Sequence, residues 1–103
     1  MKYSKLVRDK IPEIIRKSGM TPVTHIASDD EYWQKLKEKL KEEIDEFMKD
    51  SNEEELADIL EVIHAICNNR RIQLKRLEQL RKKKTKERGR FKNKIILDET
   101  KTA

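Results

Sequence analysis

Glycine and proline are nearly missing from this 103-residue chain, with two of each, which excludes a fold built from many tight turns. Aromatic residues are scarce at 5%, which argues against a strand-rich core and leaves long helices as the expected elements. The lone cysteine, Cys67, cannot form an internal disulfide. It follows the apolar residues Ile63, Ala65 and Ile66, so its expected role is a small buried hydrophobe rather than a nucleophile. No apolar run reaches spanning length and no secretory leader is evident, so the expectation is a soluble, cytoplasmic chain with no membrane partner.

Apolar residues make up only 35% of the chain, whereas charged residues make up 44%. That balance is close to the limit at which a chain fails to bury enough surface to fold alone, so self-association is expected. The formal net charge of +5 conceals a division. Residues 29–61 hold 14 Asp/Glu against five Lys, and residues 70–94 hold 13 Lys/Arg against two Glu. One region is suited to cations and the other to anions.

Residues 5–18 read as a first short helix, with Pro12 in a first-turn position, an Ile11, Ile14, Ile15 side and Gly19 as the stop. Ser28 and Glu31 form a capping box that opens a long helix to about residue 50, with Trp33, Leu36, Leu40, Ile44, Phe47 and Met48 in one arc. Ser51 and Glu54 repeat the capping pattern, so a third helix starts at once and makes an antiparallel hairpin with the second. Its expected core face is Leu56, Ile59, Leu60, Ile63, Ile66 and Cys67, with Ala57, Val62 and Ala65 at the sides. A fourth helix is expected over 72–87. Residues 91–97 are expected as a short strand beside 23–26. One all-α domain spanning 1–103 is the reading, its basic segment 81–103 a partly flexible end.

The chemistry lies on helices two and three. Glu43 and Glu46 are spaced i,i+3, as are Glu55 and Asp58, so each pair shares a helix side. Glu43 falls ~20° from Leu36 at the edge of the apolar arc, and Asp58 falls between Ala65 and Val62. Carboxylates turned partly inward across a hairpin need a compensating cation, and a hard divalent ion with oxygen ligands supplies it. The alternative is a solvated acidic face held by i,i+4 pairs.

The string E-E-x-x-E (Glu42, Glu43, Glu46) followed by E-x-x-D (Glu55, Asp58) resembles the MazG-like all-α nucleotide pyrophosphohydrolases. That superfamily also holds the dimeric dUTPases and phosphoribosyl-ATP pyrophosphohydrolase. KLVRDKIPEII at 5–15 and K-x-x-x-R-G-x-F (Lys84, Arg88, Gly89, Phe91) resemble its small single-domain branch. The resemblance implies a four-helix-bundle-like arrangement and a homodimer or larger homo-oligomer. It implies Mg²⁺, with Mn²⁺ as a substitute, ligated by Glu43, Glu46, Glu55 and Asp58. It also implies hydrolysis of a nucleoside triphosphate between the α and β phosphates. Only eight residues separate Glu46 from Glu55, fewer than in the larger MazG pattern. That tight hairpin departs from the family members that build base-binding elements there.

Within that reading Glu42 is the catalytic candidate, orienting or deprotonating the water. Lys5, Arg8, Lys10, Lys84 and Arg88 are the candidates to hold substrate phosphates. His64 is expected to be structural, and Trp33 and Tyr32 to be packing residues. The rival function is a helical module that grips nucleic acid through the basic fourth helix. It leaves the carboxylates unexplained, so nucleic acid is not the expected partner.

Overall fold

The computed structural model describes residues 4–102. They form four α-helices: α1 (Ile11–Lys17), α2 (Asp29–Asp50), α3 (Glu53–Asn69) and α4 (Leu74–Arg88). There is no strand among the described residues. The chain divides into two compact units, Met1–Arg71 and Ile72–Ala103.

In the first unit, α2 and α3 pack on each other as the expected antiparallel hairpin. Ser28 opens α2 as foreseen, its hydroxyl accepting from the Glu31 backbone N–H at 3.3 Å. The two-residue link divides its labour differently from the expected Ser51/Glu54 box. Ser51 takes a left-handed conformation (φ 51°) and closes α2, its N–H donating to Phe47 O at 2.7 Å. Asn52 then opens α3, its side chain accepting from Glu55 N–H at 3.0 Å. A residue committed to ending one helix cannot also adopt the extended backbone that an N-cap requires. The acidic first turn of α3 (Glu53, Glu54, Glu55) complements the positive end of the helix dipole.

Leu36, 1% exposed, is the best-buried apolar side chain, and burying a leucine stabilises by about 1.5–3 kcal/mol. Val62 and Cys67 are the buried residues of α3, Cys67 in the packing role foreseen for it. Leu56 and Leu60 were expected in the core but are 51% and 54% exposed. The reason is that α3 is apolar on more than one side, and the side turned inward runs through Val62. Trp33 lies under the Arg70 guanidinium, 3.5 Å from the ring centroid, a cation–π contact that ties the far end of the hairpin.

Helix α1 begins at Ile11 and not near residue 5. Proline cannot sit deeper than the first turn without clashing with the carbonyl four residues back, and Pro12 occupies that first turn. Residues 4–8 therefore form a non-helical arm, held by Lys35 Nζ donating to Ser4 O at 2.7 Å.

The second unit contains α4, which starts two residues later than expected and has no buried residue and no side-chain N-cap. The expected strand pair does not form: 23–26 and 91–97 carry no ladder, and Val23 and Phe91 are almost wholly exposed. Two short strands without a third, or without a covering surface, are marginal in water.

Candidate metal centre

The helix lines that carry the core also carry the carboxylates. Glu43 is seven residues beyond Leu36 on α2, and Glu55 and Asp58 stand seven and four residues before Val62 on α3. Packing Leu36 and Val62 into the hairpin thus turns all three acids toward the seam. Glu43, Glu55 and Asp58 each bring a carboxylate oxygen within 4.8 Å of the others, with Glu43 buried and the other two half-buried.

Glu46 does not join this trio. It groups with Asp50 and Glu55, again within 4.8 Å, so Glu55 is common to both clusters. Asp50 was missed in the sequence. Its signal was the i,i+4 spacing to Glu46 and its place next to the link, which brings the end of α2 back beside the start of α3.

Basic groups stand around the acids. Lys39 Nζ lies 3.2 Å from Glu43 and 3.5 Å from Glu42. Lys5 Nζ donates to Glu42 at 3.1 Å, and Arg8 donates to Asp58 at 2.8 Å. The arm thus carries two of the expected phosphate-binding cations to the acidic seam. The signal for Lys39 in the sequence is its i,i+3 and i,i+4 spacing to Glu42 and Glu43. Loss of surrounding water, and then the charges of Asp58, Asp50, Glu43 and Glu46, push the Glu55 carboxyl above its ordinary value.

Lys10 stands exposed at the N-cap position of α1. Lys84 and Arg88 belong to α4 in the second unit, where Arg88 lines a cavity of about 350 Å³ with Gly89, Arg90, Phe91, Asn93 and Lys94. His64 is exposed on α3.

The donor set is of the kind a magnesium-type ion takes: hard oxygens only and few carboxylates. A buried carboxylate beside two others is expensive without positive charge, and Lys39 and Arg8 supply part of it. No helix of the described residues is long and apolar enough to cross a membrane.

No protein-family model matches the chain, and no solved structure matches it. A protein of Mycolicibacterium smegmatis described as an uncharacterized protein is 60% identical over 43 residues, 42% of this chain and 44% of that protein. The chain therefore aligns with less than half the length of that relative.

Proposed function

We propose that this chain is a Mg²⁺-dependent nucleoside triphosphate pyrophosphohydrolase of the MazG-like type. The observation that carries the reading is the convergence of Glu43, Glu55 and Asp58 on the packed seam of α2 and α3. In this reading Glu43, Glu55 and Asp58 hold the ion, with Glu46 and Asp50 able to extend the site through the shared Glu55. Bound Mg²⁺ supplies charge neutralisation on phosphate oxygens and a lowered pKa for a coordinated water.

Water attacks the α-phosphorus, the bond from it to the bridging oxygen breaks, and NMP and pyrophosphate leave. Glu42, held between Lys5 and Lys39, orients the attacking water and receives its proton. Arg8, Lys5 and Lys10 take up phosphate charge from the arm and the start of α1. Removal of damaged or unusual nucleotides in the reducing cytoplasm is a role that fits this chemistry.

The working unit is a homodimer or larger assembly. Ile44 and Met48 on α2, and Leu56 and Leu60 on α3, are exposed. Helical spacing places both pairs on the side of the hairpin away from the carboxylates. A two-fold partner buries such a stripe with one self-complementary surface.

The test is pyrophosphate release from a panel of common and modified nucleoside triphosphates with Mg²⁺. Release that depends on Mg²⁺ and disappears in Glu43→Gln and Asp58→Asn supports the assignment, and near-normal turnover in either variant sinks it. The exposed basic α4 favours the second reading, a nucleic-acid module. A salt-sensitive gel shift without Mg²⁺, and no pyrophosphate release, would select it.

A further inference from the structure

Three carboxylates on one seam carry more negative charge than a half-buried site tolerates, and the chain has placed its own cations against them. Lys39 meets Glu43 from within α2. Arg8 is different: it comes from the non-helical arm 50 residues away in sequence and donates to Asp58 at 2.8 Å. Its side chain is half exposed, so it can leave this position without any helix unpacking. The arm is fixed on both sides of it, by Lys35 on Ser4 O and by Ile11 N–H donating to Arg8 O at 3.0 Å. The backbone is tethered, while the bond from the guanidinium to Asp58 is half exposed.

We infer that Arg8 is an exchange counter-ion: it occupies Asp58 while the seam is metal-free and transfers to a substrate phosphate when a divalent cation takes the carboxylates. The inference rests on the metal reading proposed above. The physical reason is electrostatic. A divalent ion ~2 Å from carboxylate oxygens repels a guanidinium hydrogen-bonded to the same group. A bound triphosphate replaces the lost partner, because guanidinium pairs as readily with phosphate as with carboxylate. The consequence is coupling. The ion alone must displace Arg8 and binds weakly, whereas ion and polyphosphate together satisfy every charge. By linkage, each ligand then strengthens the other.

The experiment measures Mn²⁺ binding to the full-length protein without any phosphate, and inorganic triphosphate binding to the Mn²⁺-saturated protein. Both are measured for wild type, Arg8→Gln and Arg8→Lys, with helicity recorded for each. Arg8→Gln should bind Mn²⁺ alone about threefold more tightly, the scale of an exposed ion pair. The same variant should bind triphosphate about tenfold more weakly, the scale of a charge-assisted pair. Arg8→Lys should fall between Arg8→Gln and wild type on both measures. Opposite signs from one substitution are the signature, since a merely structural role would weaken both. If Arg8→Gln weakens both affinities or leaves Mn²⁺ binding unchanged, the exchange is wrong although the metal site stands. If wild type itself binds no Mn²⁺ at millimolar concentration, the metal reading falls and the exchange falls with it.

Discussion

The two units of this chain are helical for different reasons. In Met1–Arg71, α2 and α3 each have a side-chain N-cap and residues withdrawn from water, and they pack on each other. In Ile72–Ala103, α4 has neither a side-chain N-cap nor a buried residue. It is sustained by good helix formers, local pairs such as Glu78 with Arg81, and basic residues toward its C-terminal end. Charge follows the same division, acidic in the first unit and basic in the second. A packed helix can hold a costly group such as the Glu43 carboxylate in place, because its neighbours over-determine it. An unpacked helix can only display charge. Positioned groups therefore belong to the hairpin, and α4 only displays charge.

Substitution at matched positions tests that contrast most severely. Asp58→Asn or Glu43→Gln should abolish pyrophosphate release with the helical content preserved. Arg88→Ala, on a helix with no buried residue, should lower it far less. Equal losses in a kinetic assay would break the division of labour between the units.

Stability gives the next largest effect. Leu36→Ala should cost about 3 kcal/mol by denaturant titration, through lost burial and the cavity left behind. Leu77→Ala on α4, where the side chain is already 37% exposed, should cost about 0.5 kcal/mol or less. Asn52→Ala should cost about 1 kcal/mol, because it orphans the Glu55 N–H at the start of α3.

Metal and pH sharpen the comparison with smaller shifts. Millimolar Mg²⁺ or Mn²⁺ should raise the melting temperature of the metal-free protein, and a chelator should reverse the gain, because only the folded hairpin assembles the ligands. A melting temperature indifferent to both ions would count against the centre.

Glu55 has a folded-state pKa raised above its unfolded value. Between those values the native state binds more protons than the unfolded one, so stability falls as pH rises through that window and stays lower above it. Glu55→Gln should therefore stabilise the metal-free protein near neutral pH. That advantage should disappear as the pH is lowered toward the ordinary glutamate range, as followed by thermal melts across pH.

Much of the hairpin was legible in the sequence. Periodicity gave α2 and α3, the serine cap at 28 gave the start of α2, and the spacing of Glu43 from Leu36 announced a carboxylate at the edge of the core. Such features depend on residues within a few turns of one another, and helix geometry converts their spacing directly into direction. Other features were not legible because they depend on partners distant in the chain. Val62 rather than Leu60 is buried because α2 covers only one side of an all-round apolar helix. Glu46 parts from Glu43 and joins Asp50 because the seam meets α3 at Glu55, which sets both distances at once. Arg8 reaches Asp58 because Pro12 halts α1 and frees the arm. The sequence by itself determined which segments are helices and which residues carry charge. Only the tertiary structure decided which of those charges meet, because the distance between two carboxylates on different helices is set by how the helices pack and not by the spacing within either one.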